Sequence, residues 1–450
     1  MPASDAPKPS KAQFDPVTNI DRAINKDSPF VAPDSHTKHA VSAYDAMAQR
    51  NEYLFRFKFM DCWLLQYIND KRDIVTAWTF INLMTVTIPL IFLNLAFDLP
   101  LVCAPLTFLF NVVNFTDRFI LGLHYSSHVP IWKGAASFMN YVPTLLIAPF
   151  FGLPSGGYWT HHILMHHKKN NEVGGDLSST EPYQRDNFLH FLHYWIRFLL
   201  GIWFELPLFA FMHGPPFRRT LSGLLNCGVF LSIRVLLSSL LHLYLTYLAV
   251  KHIPWAGSWL VALPLVLSSF LLMFGNWCQH MFVDPTRPWS NFALSYTCMN
   301  SPSQQRSFND GYHINHHIAP NCHWADLPAD FENRAFRFVQ EGAFCFSGID
   351  NFGIGLRVHP PGATVVLYTL TLTPSLQVFT GNLNSLADYM VNPVSGGPWK
   401  ADAQGNIDKA ACIAELKRRL QPVPVGLKRP SPNDRGLKAI DRCAAVADDE

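Results

Sequence analysis

The sequence predicts an all-α integral membrane protein, with four transmembrane helices in two hairpins and a cytosolic-side helical cap that carries histidine boxes. Three observations support this fold class. Charged residues make up only 15% of the 450 residues, against roughly 25% in soluble globular chains. Four stretches are long and apolar enough to cross a bilayer, which takes about 20 residues. Finally, most of the 19 histidines fall into two short windows that follow these stretches.

The first two apolar stretches form the first predicted hairpin. Residues 74–97 contain no charge, and residues 99–116 again contain none, with apolar character continuing to Leu123. Only a tight turn around Asp98 and Pro100 separates the two stretches. A turn this short makes the two helices antiparallel neighbours, so we expect a helical hairpin.

The second predicted hairpin follows the same pattern. Residues 223–250 carry one charge, Arg234, and residues 252–283 carry none. Lys251 and His252 mark the turn between them. Buried helices of a large soluble protein are the alternative, but core helices rarely run this long without a charge, and membrane spans are favoured.

Three other apolar stretches are too short or too interrupted to count as spans. Residues 141–153 contain two prolines and fit a re-entrant or interfacial segment. Residues 198–212 carry Glu205 and Pro207, and we expect them to be interfacial. Residues 51–73 mix charged side chains with Phe, Trp and Leu, which predicts an interfacial helix just before the first span.

The remaining boundaries follow from composition. Residues 1–50 are polar and are predicted to be a disordered arm. Residues 74–345 form the membrane and catalytic domain. Residues 346–450 form a C-terminal extension with a short helix near 407–420. Within it, the uncharged Thr/Leu stretch 358–387 is interpreted as interfacial or strand-like rather than as a fifth span, and an error in the gene model is a further hypothesis.

Basic residues near the span ends predict the orientation. Nine of them lie on the side of the N-terminus: Arg56, Lys58, Lys71, Arg72, Lys133, Lys168, Lys169, Arg218 and Arg219. The opposite side has only Lys251 in its turns. By the positive-inside rule, both termini and the histidine clusters face the cytoplasm or an equivalent compartment. We expect a multi-pass protein of the endoplasmic reticulum, with a plastid or a bacterial inner membrane as the alternatives.

The histidines cluster with a spacing that suits metal ligands. Eleven of the 19 lie in residues 124–167 and 280–323. His124 and His128 form HxxxH, and His161, His162, His166 and His167 form HHxxxHH. His313, His316 and His317 form HxxHH, and Asn276 and His280 form an N-x-x-x-H pair. Residues three and four apart share one helix face, so each pattern can direct two imidazoles at one point. In each HH doublet the second ring is rotated by roughly 100° and can serve a neighbouring ion. Imidazole is the commonest nitrogen ligand, and three such boxes suggest two metal ions rather than a structural zinc site.

The three boxes resemble those of the integral-membrane fatty acid desaturase family. The resemblance covers about residues 70–345 and includes G-N-W-C-Q-H-M-F-V-D-P at 275–285 and F-N-D-G-Y-H-I-N-H-H at 308–317. It implies an oxidoreductase that introduces a double bond into an acyl chain, using O₂ and two electrons. It also implies two non-haem iron ions held by His124, His128, His162, His166, His167, His280, His313, His316 and His317, with Asn276 joined through a water.

Some assignments stay open within this resemblance. The second box has the less common spacing, so His161 competes with His162 as the ligand, and we favour His162. His323 lies outside the third box and is interpreted as a supporting or structural residue. Three acids that flank the boxes could hold the outer nitrogens of the ligands: Asp176, Asp284 and Asp310.

The expected partners are an acyl-lipid or acyl-carrier substrate, membrane lipids and a separate electron donor, cytochrome b5 or ferredoxin. Nucleic acid is not expected, because the net charge is only +2. Lys168, Lys169 and Arg185 could hold a phosphate or an acidic carrier, but residues near lipid head groups are the favoured interpretation.

Three other functions compete with a desaturase. A hydroxylase or acetylenase would use the same di-iron site, and sequence does not separate these reactions. A metal transporter would place histidines and acids midway through its spans. Here only His242 lies inside a span, and Arg234 lies nearer the cytoplasmic end. A catalytically inactive lipid-binding relative is the third alternative, and complete boxes argue against it.

Overall fold

The structure is a computed structural model that describes residues 54–214, 227–301, 303–304, 306–358, 383–391, 407–427 and 429. The predicted disordered arm 1–50 and all but the ends of the stretch 358–387 lie outside the described residues. Within the described residues the protein is mostly helical. The sheet there has two short parallel strands, β1 (Tyr296–Met299) and β2 (Phe344–Ser347), paired with Tyr296 opposite Phe344.

Fourteen helices are described here, some with 3₁₀ or π segments within them. In chain order they are α1 (Lys58–Leu64), α2 (Lys71–Ala96), α3 (Cys103–His128), α4 (Gly134–Phe151), α5 (157–169), α6 (Phe188–Gly201), α7 (Glu205–His213), α8 (Gly228–His252), α9 (Pro254–Gln279), α10 (His313–Ile318), α11 (Leu327–Gln340), α12 (Asn351–Val358), α13 (Leu383–Ala387) and α14 (Lys409–Arg419).

Among the described residues, five helices are long and apolar enough to cross a membrane: α2, α3, α4, α8 and α9. Four of them correspond to the predicted spans. The fifth, α4, overlaps the stretch 141–153 that was predicted to be too interrupted to span. It reaches 18 residues because it begins at Gly134 and because Pro143 and Pro149 each begin a new helical segment. A proline costs little there, since its missing N–H is not needed in a first turn.

Helices α6 and α7 pass the same length and composition test only as a pair, and they are bent by 66° at their junction. They contain the stretch 198–212 that was predicted to be interfacial. Helix α4 ends at Gly152, whose φ of +75° is a left-handed conformation. A Cβ at this position would lie 2.3 Å from the Cα of Leu265 in α9, so only glycine permits this approach.

Two hydrophobic clusters hold the histidine-bearing segments. The first joins α2, α3 and α4 and includes Leu123, next to His124. The second is larger and joins α5, α6, α7, α9 and the sheet to α12, α13 and α14, and it includes Met165, next to His166. The boxes of α3 and α5 are therefore anchored by these two clusters, and the α10 box packs in a third cluster through Ile314 and Ile318.

The short helix predicted near 407–420 is confirmed as α14. Asp408 caps it by accepting hydrogen bonds from the N–H groups of Ala410 and Ala411. Its buried side, with Cys412 and Leu416, belongs to the larger hydrophobic cluster. Helix α14 of the C-terminal extension therefore packs on the histidine-bearing part of the chain.

Candidate metal centre

Eight histidines form two groups whose ring nitrogens lie within 4.8 Å of one another in each group. The five-histidine group contains His124, His128, His162, His167 and His316, and the three-histidine group contains His166, His280 and His317. They come from the end of α3, from α5, from the end of α9 and from α10. The structure thus brings together residues up to 193 positions apart, from His124 to His317.

The five-histidine group is centred on contacts between Nε2 atoms. His316 Nε2 lies 2.8 Å from His124 Nε2 and 3.0 Å from His167 Nε2. His162 Nε2 lies 2.9 Å from His128 Nε2 and 3.2 Å from His167 Nε2. All five rings therefore direct the same kind of nitrogen at a common space.

The three-histidine group is enclosed, and His313 lies beside it. The Nε2 atom of His313 is 3.2 Å from Nε2 of His280 and 3.2 Å from Nε2 of His317. The centroid of the His166 ring lies 5.1 Å from that of His280 and 5.3 Å from that of His317. His313 therefore extends this group toward four imidazoles.

A π-helical segment explains how the second box is divided between the groups. Residues Thr160–His166 of α5 are π-helical, so residues five apart, rather than four apart, come into line. His162 and His167, five apart, meet in the five-histidine group. His166 instead joins the three-histidine group. The prediction that residues four apart share one point is therefore wrong for His162 and His166.

Four of the histidines have an acceptor at the outer nitrogen. The pairs are His124 Nδ1 with Asp310 (3.2 Å), His166 Nδ1 with Asp176 (2.7 Å), His280 Nδ1 with the Leu294 carbonyl (3.1 Å) and His317 Nδ1 with the Asn170 side-chain oxygen (3.0 Å). An acceptor at Nδ1 places the ring proton there and leaves a lone pair on Nε2. The inward nitrogens of these rings are therefore acceptors.

These residues fit metal ions. Ring nitrogens that meet at 2.8–3.2 Å have the separation that a shared cation would give them. An ion bonded to two imidazoles at right angles, with bonds of about 2.1 Å, separates the nitrogens by about 3 Å. Burial, and then the neighbouring imidazoles, hold the pKa values of His162, His167, His316 and His317 well below the usual range. The rings are therefore neutral near pH 7, which is the form that binds metal.

Three other residues singled out from the sequence, Asn276, His161 and His323, lie outside the two histidine groups. The amide nitrogen of Asn276 donates to the Tyr194 hydroxyl (2.7 Å) and to the Ser178 carbonyl (3.1 Å). His161 lies outside both groups, with Nε2 3.1 Å from Ser178 Oγ, and burial lowers its pKa to about 4. His323 is also outside both groups and accepts a hydrogen bond from the Ala325 N–H.

The three predicted outer carboxylates behave differently from one another. Asp176 and Asp310 contact His166 and His124. Asp284 instead binds Arg418, 3.0 Å away, and Thr286, so its predicted contact with a ligand is wrong. The reason is that the chain turns after His280, which directs the Asp284 carboxylate toward α14.

Arg185 also differs from the favoured interpretation. It was predicted to lie near lipid head groups, but its side chain is fully buried and binds backbone carbonyls. Lys168 is exposed, as a residue near a membrane surface would be.

Asn170 is a supporting residue that the sequence did not single out. It ends α5 in a left-handed conformation, with φ of 54°, which turns its amide toward His317. An Asn-Asn pair that follows a helical histidine box after two lysines is a signal for such an ending. Leu294 contributes only its backbone carbonyl, for which the sequence carries no signal.

The comparison with known families agrees with this geometry. A model of the fatty acid desaturase family matches residues 99–346, just over half of the 450 residues. This range includes both histidine groups, His313 and Asn276. No curated protein and no solved structure matches the chain. The chain therefore belongs to the fatty acid desaturase family, and it is a multi-pass membrane protein of that family.

Proposed function

We propose that this protein is a fatty acyl desaturase that introduces a double bond into an acyl chain at a di-iron centre. One observation carries the proposal: two adjacent groups of buried or partly buried imidazoles direct their Nε2 atoms inward in a membrane protein of the desaturase family. Nitrogen donors in this number suit iron, copper or zinc. Removal of hydrogen from an unactivated methylene requires a redox metal, which favours iron.

The residues divide between two ions. His124, His128, His162, His167 and His316 would hold one iron, and His166, His280, His313 and His317 would hold the other. The amide nitrogen of Asn276 donates to Tyr194 and Ser178. Its amide oxygen is therefore the atom that would bind a water at the iron held by His166, His280, His313 and His317. When bound, the two irons supply the activation of O₂ with two electrons.

The protein contributes orientation and a dry environment. Asp176 and Asp310 keep the proton on the outer nitrogen of His166 and His124, so the inner nitrogen stays free. The burial of His162, His280 and His313 excludes water. Both effects keep the imidazoles unprotonated and aligned.

The membrane arrangement follows from the same proposal. Helices α2 with α3 and α8 with α9 would form the two hairpins, and the histidine-bearing cap would face the cytoplasm, with the endoplasmic reticulum as the expected membrane. The catalytic domain would extend over residues 74–345. Electrons would come from a separate cytochrome b5 or ferredoxin, and the substrate would be an acyl-lipid or acyl-carrier.

Expression in a yeast that lacks its own stearoyl desaturase tests the proposal. Fatty acid profiling with double-bond localisation should show a new unsaturated acid, and a strain expressing His316→Ala should not. A product that has gained oxygen would establish a hydroxylase on the same site. Purified protein that produces no unsaturated acid and holds zinc or no metal, rather than about two irons per chain, would contradict the proposal.

A further inference from the structure

Arg185 is a fully buried cation whose described hydrogen-bond partners are all backbone carbonyls. Its guanidinium joins three segments of the chain, through Thr180 O (3.1 Å) and Tyr183 O (3.2 Å), through Met281 O (2.7 Å), and through Arg419 O (2.7 Å) and Gln421 O (2.5 Å). A buried cation is costly unless its donors are satisfied. The planar guanidinium fork satisfies them here in a way that a lysine ammonium could not.

Two hydrogen bonds from the 180–185 loop hold the backbone around His280. Arg185 Nε donates to the carbonyl of Met281, the residue after His280. Thr180 Oγ1 donates to the carbonyl of His280 itself, at 2.8 Å. The His280 ring is then held by its own Nδ1 bond to Leu294 O. The direction of the His280 ring therefore depends on the 180–185 loop.

The C-terminal strap (residues 409–423) holds this loop in turn. The Arg185 N–H donates to Leu420 O (2.8 Å), and the Val423 N–H donates to Glu181 O (2.9 Å). Leu416 and Leu420 are fully buried in the larger hydrophobic cluster. The strap is therefore anchored both by apolar packing and by backbone hydrogen bonds.

The strap contacts one histidine group selectively. Among the described residues, its hydrogen bonds to the rest of the chain end on residues 181–185, 284, 342 and 388. His280, which the 180–185 loop supports, belongs to the three-histidine group. Among the described residues, no hydrogen bond of the strap reaches α3 or α10. These helices carry His124, His128 and His316 of the five-histidine group, and α10 also carries His317 of the three-histidine group.

We propose that the C-terminal strap and Arg185 are positioning elements that set metal binding at the three-histidine group. This inference rests on the proposed di-iron function. It predicts that loosening the strap releases one iron and leaves the other in place. Arg185 does not touch the metal; it acts through the Met281 peptide on His280.

Arg185→Lys in the full chain provides the first test, because it keeps the charge and removes the fork. We expect wild type to hold about two irons per chain and the variant to hold about one. Mössbauer spectroscopy with ⁵⁷Fe should show that the signal of one of the two iron sites of wild type is lost. Arg357→Lys is the matched control, since Arg357 also donates to a carbonyl, that of Gly353, but supports neither histidine group.

Leu416→Ala is a second test if Arg185→Lys does not reach the membrane. It weakens the packing of the strap while every hydrogen bond of Arg185 remains. One of the two irons should pass to a chelator about tenfold faster than in wild type, whereas Leu231→Ala, an equally buried leucine of the same cluster in α8, should change neither rate. Two irons per chain, with the wild-type spectrum and the wild-type release rates, in both Arg185→Lys and Leu416→Ala would overturn the inference. A wild type without iron would instead overturn the proposed function.

Discussion

The five-histidine group and the three-histidine group differ in how far the protein encloses them. In the three-histidine group every ring is buried, and the Asp176 side chain that supports it has no exposed surface. In the five-histidine group His128 and His167 are only partly buried. Three of its members, His124, His128 and His316, line a small pocket that is partly open to the surface.

Under the proposed di-iron function, this difference indicates two ways of holding a metal ion in one fold. The five-histidine group, here called the open group, has more imidazoles, so the ring nitrogens alone define the site. The three-histidine group, here called the enclosed group, has fewer imidazoles but more supporting contacts. These come from Asp176, Asn170, the Leu294 carbonyl and the strap. We therefore expect the open group to be sensitive to loss of a ligand and the enclosed group to be sensitive to loss of its supports.

Loss of a ligand from the open group should have the largest effect. His316 contacts both His124 and His167, so His316→Ala should abolish turnover and lower bound iron from about two per chain, while the protein still inserts into the membrane. Activity in the yeast assay and iron per purified chain measure this. His193→Ala, an exposed histidine outside both groups, should leave both values unchanged. Normal activity of His316→Ala would contradict the assignment of the boxes.

Loss of a support should separate the two groups. Burial alone would raise the pKa of Asp176, but the contacts with His166 and Ser178 outweigh it and hold the pKa below its usual range. Asp176 is therefore an anion with several donors, and Asp176→Asn should weaken iron binding at the three-histidine group about 10- to 100-fold. Competition with a chelator measures this affinity.

Asp310→Asn is the matched variant for the open group. Asp310 is partly exposed and its contact with His124 is longer, at 3.2 Å, so we expect a smaller loss than for Asp176→Asn. An equal or larger loss of iron affinity for Asp310→Asn would contradict the idea that only the enclosed group depends on its supporting contacts.

The sequence predicted the histidine groups only as far as helical spacing holds. In α10, His313 and His317 are four apart and meet at 3.2 Å, while His316 is rotated into the other group. In α5 the same spacing fails, because the π segment brings His162 into contact with His167 instead of His166. The residues of a π segment are ordinary helix formers, so a spacing argument has no means of detecting one.

The fold shows the same limit. Uncharged length identified α2, α3, α8 and α9 without ambiguity, but α4 was rejected because of its prolines. The tertiary structure places each of these prolines at the start of a segment, where it is tolerated. Arg185 was misplaced for a related reason: its partners are carbonyls of distant segments, and a carbonyl has no signature in the sequence.

The strap should add acid sensitivity to the enclosed group. Burial raises the pKa of Asp284, but hydrogen bonds from Arg418 and Thr286 outweigh it and lower the pKa to about 2. A carboxyl with a lowered pKa contributes stability that is complete above its unfolded pKa, about 4, and is lost as the pH falls toward 2. Because Arg418 is partly exposed, we expect Asp284→Asn to cost only about 1 kcal/mol at pH 6 and nothing below pH 2.

Thermal unfolding in detergent, followed by circular dichroism between pH 3 and pH 7, measures this contribution. Wild type and Asp284→Asn should differ at pH 6 and should converge as the pH is lowered. A difference that stays constant across this range would show that the carboxylate charge is not what holds the strap.

The smallest effect is expected at His161, which is next to a ligand in sequence but outside both groups. Its Nε2 atom contacts Ser178 Oγ, and Ser178 in turn donates to Asp176, so His161→Gln can keep a polar contact there. We expect this variant to retain about two irons per chain and activity within severalfold of wild type, whereas His162→Gln should lose iron from the five-histidine group. The reverse result would mean that His161 is the ligand, and the five-residue alignment along the π segment would then no longer explain how the second box is shared.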